Sequence, residues 1–380
     1  LQRPSIGIIG AGIGGLSFAI ALQQMGFTPH IYEQAAALRP IGAGIILGNN
    51  AMQVYKKLGL DEELCARAER LSYMAVTRED LAILAKTDLD YFHQQNNVPS
   101  LALERSELHR ILLQHIDRRA LRLDHRLVNI QNTTDDVRLT FANGWCFRHD
   151  LVIAADGQSS HVRKQLFPES QLRSTGQLCW RSLTDLSLQE NLRHGLREAW
   201  AWGTRFGFVP LSPTRVYWYA LQSTVQRYQR EPDALLPNLF YKYASPIPEL
   251  IRNTNRQTVH AEEIRELKPL KNWAKDRVCL LGDAAHSTTP NLGQGAGQAI
   301  EDALVLAQCL DKYAYQAAFG RYQELRQRKV RWIARSSRRL GRIAHWMHPA
   351  AVAFRNRLSA TTPGWLKRRQ TARIFRLAEV

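Results

Sequence analysis

An apolar run, Ser5–Gly10 (SIGIIG), leads into Gly10-Ala11-Gly12-Ile13-Gly14-Gly15 and then into the helix-forming stretch Leu16–Met25. This strand–turn–helix signature restricts the fold more than any other feature of the chain. Gly10 permits the tight turn, Gly12 lets a pyrophosphate approach the backbone, and Gly15 allows the helix to pack closely on the strand. The helix N-terminus adds free N–H groups and a positive dipole. The next strand, Pro29–Glu33 (PHIYE), ends in an acid placed to accept hydrogen bonds from an adenosine ribose. A β-α-β unit of this kind calls for parallel pairing and an α/β fold. The five glycines within Ile6–Leu22 and the absence of a positive-inside flank argue against reading that segment as a membrane span.

The fingerprint occurs once and does not by itself separate FAD from NAD. Leu281-Gly282-Asp283-Ala284-Ala285-His286 favours FAD: a buried strand delivers Asp283, and a carboxylate there suits a ribityl chain. Pro290-Asn291-Leu292-Gly293-Gln294-Gly295-Ala296-Gly297 then opens a long helix, Ala296–Tyr313. Three glycines let a flat ring lie against the backbone, and the helix N-terminus favours the anionic charge of a reduced flavin. His286 could act as a base, although a satisfied, partly buried histidine is the simpler reading. Asp156-Gly157, after the strand Leu151–Ala155, reads as a plain turn on local grounds.

At 380 residues the chain has room for two or three domains. Tryptophan and tyrosine crowd the stretch from Gly176 to Glu266, which reads as an antiparallel sheet with its large side chains on one face, and α/β segments bracket it. The expected division is a discontinuous Rossmann-like domain (residues 1–72, 101–175 and 267–320), a substrate-binding sheet domain (73–100 and 176–266) and basic C-terminal helices (321–380). Of the net charge of +17, those last residues carry +14, from 16 Lys/Arg against Glu324 and Glu379. The five cysteines are odd in number and far apart, which excludes a CxxC metal or redox pair and fits a reducing cytoplasm. No cluster with metal-ligand spacing stands out, so no metal is expected.

Taken together, GxGxxG with Glu33, Asp156-Gly157 and the run LGDAAHSTTPNLGQGAGQAIEDA resemble the class A flavoprotein monooxygenases, the FAD-dependent hydroxylases that include salicylate hydroxylase, urate hydroxylase and zeaxanthin epoxidase. The resemblance covers most of the chain, the arginine-rich tail included. It implies non-covalent FAD held by Gly10, Gly12, Gly14, Gly15, Glu33, Gln34, Asp283, Gly293, Gln294, Gly295, Ala296 and Gly297. Arg105 would contact the pyrophosphate or adenosine, Arg39 would flank the cofactor, Ile46 belongs to a loop beside the flavin (Gly42–Ile46), and Val128 would lie by the adenine. Asp156 would touch FAD and take part in NAD(P)H use. The implied reaction is single-component: NAD(P)H visits transiently to reduce the flavin, O₂ forms a C4a-hydroperoxide, and a small planar aromatic or heteroaromatic substrate is hydroxylated. Neither the choice of NADH or NADPH nor the oligomeric state carries a motif.

Arg205 and Tyr217 are the candidate catalytic residues, an arginine to grip a carboxylate, phenolate or imide oxygen and a phenol to polarise or deprotonate the substrate; an outward arginine and a packed tyrosine explain them equally well. The competing readings are an epoxidase of an apolar polyene at a membrane surface, a flavin-dependent reductase of the same fold, and an FAD-stabilised interaction module with a basic tail. The tail is either a solvated helical face or a peripheral contact with the anionic inner membrane surface; nucleic acid is the less favoured partner.

Overall fold

The computed structural model describes residues 3–38, 43–223 and 232–380. Ile6–Ile9 is the middle of a six-stranded sheet and pairs in parallel with Pro29–Tyr32 on one side and Leu151–Ala154 on the other. Leu121–Arg122 closes one edge, while Val278–Leu280 and the antiparallel Ala274–Lys275 close the other. Both faces of this sheet are covered, so its strands are apolar without alternation. The helix Ile13–Gln24 is buried almost all round, packed between the sheet and the helices Gly295–Lys312 and Arg105–Gln114.

The second sheet has seven strands in the spatial order His260–Leu267, Leu172–Asp185, Arg215–Ser223, Thr204–Ser212, Gly195–Trp200, Tyr73–Arg78, Ile83–Asp88. It is mixed rather than purely antiparallel, since Gly195–Trp200 runs parallel to Tyr73–Arg78. The aromatic side chains do not share one face as expected. Trp180, Phe206, Phe208 and Trp218 form a core under the helices Pro232–Phe240 and Ile247–Asn253. Alternation along the same strands sends Arg205, Tyr217 and Tyr219 to the opposite face. The strand Leu172–Asp185 runs through position 175, and the helix Tyr315–Ala344 runs through position 320.

The basic segment forms three helices, Tyr315–Ala344, Pro349–Thr361 and Gly364–Phe375. The first is amphipathic, burying Phe319, Tyr322, Arg326, Val330, Ile333, Ser337 and Gly341 along one stripe. Arg326 is wholly buried. Its guanidinium pairs with Glu301 and, at 2.7 Å, with Asp302, both equally buried on the helix Gly295–Lys312. Lys329 adds a second cation to Glu301 at 2.8 Å. His286 pairs with the other oxygen of Asp302, which also accepts the Gly282 N–H at 3.2 Å. His286 is therefore the satisfied histidine, fixed by a carboxylate, and not a free base. Burial by itself would raise Asp302, but His286 and Arg326 outweigh it and hold the carboxyl at about 2.

Two expectations follow. Arg326→Ala removes the buried cation shared by Glu301 and Asp302, leaves them with only Lys329 and His286, and should cost about 3–5 kcal/mol, read from urea unfolding. It should also loosen the Gly282 turn, which hangs on Asp302. The second concerns acid. Tyr32 and Ser5 engage both ring nitrogens of His149, and burial, with His30 beside it, pulls His149 down to about 4. Burial, with Arg205 beside it, pulls His345 down to about 3. Both stay neutral in the fold, while the unfolded chain protonates them below about 6.5. Their contribution is complete above that pH and is lost as pH falls through about 4 for His149 and about 3 for His345, so Tm should decline across this window. His149→Asn combined with His345→Gln should flatten that decline in a melting series.

Candidate active site

The loops at the carboxyl ends of the parallel strands converge on one cleft, where an open α/β sheet accepts its ligand. Gly10 has φ +103°, and a Cβ on Gly15 would stand 2.1 Å from the Gly10 carbonyl oxygen. The turn and the close packing thus both require glycine. A Cβ on Gly12 would meet nothing within 4 Å, so this backbone is open to a ligand. Glu33 closes the loop from below, its two oxygens accepting the N–H groups of Ala11 and Ala35, each at 2.9 Å. Gln34 is exposed beside it. Gly14 packs towards Leu281 and Ala299 and so belongs to the helix contact instead of the open cradle.

Across the cleft stands Asp283, at the start of the helix Asp283–His286. Burial raises its carboxyl despite the opposing pull of nearby His286, Arg105 and Arg163. An Asp283 oxygen stands 4.0 Å from where a Cβ of Gly295 would sit, and Gly293 (φ +61°) has open space beside it. Gln294 points inward, accepting from Asn50 at 3.1 Å and Gln298 at 3.0 Å, while Gly297 lets Asn50 approach the helix. Ala296 packs on the apolar core of the parallel sheet. The helices Ile13–Gln24 and Gly295–Lys312 both begin without a side-chain cap, which leaves their first N–H groups for a ligand.

Asp156 is more than a turn residue. One oxygen accepts the N–H groups of His161 (2.8 Å) and Val162 (3.1 Å), anchoring the helix His161–Leu166. Its other oxygen is buried without a partner, and burial raises the carboxyl. Arg163, buried behind it, donates to the carbonyls of Ala284 (2.9 Å) and Gln158 (2.6 Å) and so locks the Asp156 and Asp283 loops together. Arg105 is exposed at the head of the helix Arg105–Gln114, with its charge felt at both Asp283 and Tyr217. Ile46 lies on the strand Gly44–Leu47 beside Tyr217. Val128 is 44% exposed, with its carbonyl accepting from Gln165 at 3.0 Å. Arg39 lies outside the described residues.

Over this cleft lies the second sheet. Tyr217 rests flat on the strand Gly44–Leu47: a Cβ on Gly44 would fall 2.3 Å from its ring. Burial raises its phenol far above the usual range, and Arg181 opposes this only in part. Tyr217 thus stays protonated and can donate a hydrogen bond, but it is no base near neutral pH. Arg205 is 1% exposed and already paired, with Glu198 at 3.1 Å and with Asn291 of the loop ahead of the helix Gly295–Lys312. Glu198 also accepts from Tyr219 and from the Trp200 indole, both at 2.6 Å. The arginine expected as a free anion grip has its charge balanced from within the sheet. Glu198, Tyr219, Asn291 and Arg163 were not singled out for these roles from sequence. An acid inside an apolar strand (GLREAW) was the one available signal for Glu198.

An open glycine cradle, unpartnered acid oxygens and two uncapped helix starts fit a flavin dinucleotide. Residues 3–334 match the family model described as an FAD binding domain. The chain is 35% identical over 379 residues to 2-heptyl-3-hydroxy-4(1H)-quinolone synthase of Pseudomonas aeruginosa, covering 97% of each protein. It is 34% identical over 355 residues to aurachin C monooxygenase/isomerase of Stigmatella aurantiaca, covering 92% of each. Among solved structures it is similar to Klebsiella pneumoniae HpxO complexed with FAD and uric acid, with a TM-score of 0.88, 28% identity, and 97% and 96% of the two chains covered. Single-fingerprint cradle, overlying sheet and relatives agree: the chain belongs to the class A flavoprotein monooxygenases, and its cofactor is FAD.

Proposed function

We propose that this monooxygenase takes electrons from NAD(P)H and hydroxylates a neutral, planar heteroaromatic bearing a ring N–H and a carbonyl. The Arg205–Glu198 pair carries this reading. An arginine whose charge is already met by a partly buried carboxylate gains little from a second anion, and a carboxylate substrate would stand close to Glu198. A neutral amide-like ring instead matches a floor that holds donors and acceptors in fixed positions: Tyr217, Tyr219, Arg205 and Glu198. The relatives at 34–35% identity carry quinolone and aurachin names, which supports a nitrogen heterocycle, while one at 31% carries a hydroxybenzoate name.

Bound FAD would supply the activation of O₂. Glu33 and the Gly10–Gly15 loop would hold its adenosine and pyrophosphate, Asp283 its polyol, and the start of the helix Gly295–Lys312 its ring, with a positive dipole toward developing negative charge. Tyr217, Arg205 and Tyr219 would orient the substrate and hold protons, while Trp200 and the packed sheet exclude water.

Asp283→Ala removes an acceptor for a charge-assisted hydrogen bond. Such bonds are worth roughly 1.5–3 kcal/mol, so FAD affinity should fall about ten- to a hundredfold in a flavin-fluorescence titration. Unchanged affinity would remove Asp283 from the cofactor site. Substrate class is tested by NAD(P)H oxidation and O₂ uptake with matched product, using 4-quinolones and 4-pyridones against salicylate and urate. The neutral rings should be turned over and the anions should not. Glu198→Gln should lower kcat/KM on the neutral ring about tenfold through one weakened network, with FAD content unchanged. Coupled turnover of the anions alone would overturn the neutral-substrate reading.

A further inference from the structure

Pairing along the first tail helix accounts for Arg321, Arg326, Lys329 and Arg338 but leaves the cations beyond Arg338 unaccounted for. Residues 339–380 carry nine Lys/Arg and one acid, Glu379. None of the nine lies in an ion pair among the described residues. The same stretch holds a concentration of exposed apolar side chains. Of the eleven large hydrophobics exposed among the described residues, Met347 (42%), Phe354 (62%), Leu358 (57%) and Trp365 (64%) fall within 347–365.

Their placement is ordered. On the helix Pro349–Thr361, Val352 and Arg355 face inward. Phe354 and Leu358 are one turn apart on the other side, with exposed Arg357 beside them. Only Thr362 and Pro363 separate this helix from Gly364–Phe375, so Trp365 follows Leu358 across a short joint, with Lys367, Arg368 and Arg369 after it. At the other end Met347 packs over Gly203, next to Trp202, which is 57% exposed. Buried Arg355 lies 5.3 Å from the centre of the Trp200 ring, the same indole that donates to Glu198. This apolar strip therefore borders the hairpin end of the strands that carry Glu198 and Arg205.

We propose that the outer face of the helices Pro349–Thr361 and Gly364–Phe375 docks the protein peripherally onto an anionic lipid surface. Phe354, Leu358 and Trp365 enter the headgroup–acyl boundary, while Arg357, Lys367 and Arg369 meet the lipid phosphates. An aliphatic and aromatic strip rimmed by cations matches such a surface on both counts. A second copy of this chain would set the cations of this face, Arg357, Lys367 and Arg369 among them, against their own like charges. A nucleic acid would use the cations but has no need of Leu358 or Met347. No helix among the described residues is long and apolar enough to cross a bilayer, so the contact lies in the interface plane.

The test is co-sedimentation of the FAD-loaded full chain with vesicles of phosphatidylcholine alone or mixed with phosphatidylglycerol, at low and high salt. The expected result is binding to the mixed vesicles at low salt, release at high salt and little binding to phosphatidylcholine. Each interfacial Lys/Arg contributes about 1 kcal/mol, so Arg357→Gln, Lys367→Gln and Arg369→Gln together should reduce partitioning about a hundredfold. Phe354→Ser, Leu358→Ser and Trp365→Ser together should reduce it at least about tenfold. Trp145→Ser, which removes an exposed tryptophan elsewhere on the surface, should bind like the parent. Unchanged FAD content and melting temperature show that the variants are folded. No binding to mixed vesicles, or parental binding by both triple variants, overturns the proposal. Binding of a DNA duplex without vesicle binding assigns the face to nucleic acid, and self-association lost in the apolar variant without vesicle binding assigns it to a second copy; either also overturns it.

Discussion

The pairing of Arg326 with Glu301 and Asp302 is the contact on which the site's geometry depends. All three groups are buried, so no one of them is tolerable alone; a buried ion group becomes acceptable only when every charge meets its partner. The network fastens the tail helix to Gly295–Lys312, whose N-terminus faces the cleft. Through Asp302 it also holds the Gly282 N–H, which sets the turn that presents Asp283. The cofactor cleft is thus braced from a segment that does not itself line it.

Charge compensation recurs over the cleft. Arg205 and Glu198 neutralise one another inside the second sheet, and Tyr219, Trp200 and Asn291 take up further hydrogen-bonding positions around them. A network with so many fixed partners is rigid, and rigidity is what a planar substrate needs in order to be held above a ring. The same pairing removes the free positive charge that would favour an anionic ligand. The tail shows the contrary pattern: beyond Arg338 its cations have no acids to meet among the described residues, and apolar side chains lie exposed between them.

Much of the cofactor cleft was legible because its chemistry is local. Gly10, Gly12 and Gly15 act through their own backbone, and Asp283 and Gly293–Gly297 are read from a strand end and a helix start. The roles of Arg205 and Tyr217 were less legible. Strand alternation fixes which residues share a face but not which partners that face will meet. Glu198 lies seven positions from Arg205 in the chain and comes to it only through the hairpin register, Trp200 opposite Arg205. Tyr217 owes the upward shift of its phenol to burial, its ring lying against Gly44, far away in sequence.

The parallel α/β core, the single dinucleotide fingerprint and the acid positions around it are written locally in the chain, because hydrophobic period and glycine placement act over a few residues. The tertiary structure decided which charges survive. Among the arginines of one basic tail, Arg326 became an internal brace and Arg357 and Arg369 stayed in solvent, although composition treats them alike. A charge is kept, cancelled or displayed according to what is folded within a few ångströms of it, and Coulomb interaction and desolvation depend on that distance in space, not on separation along the chain.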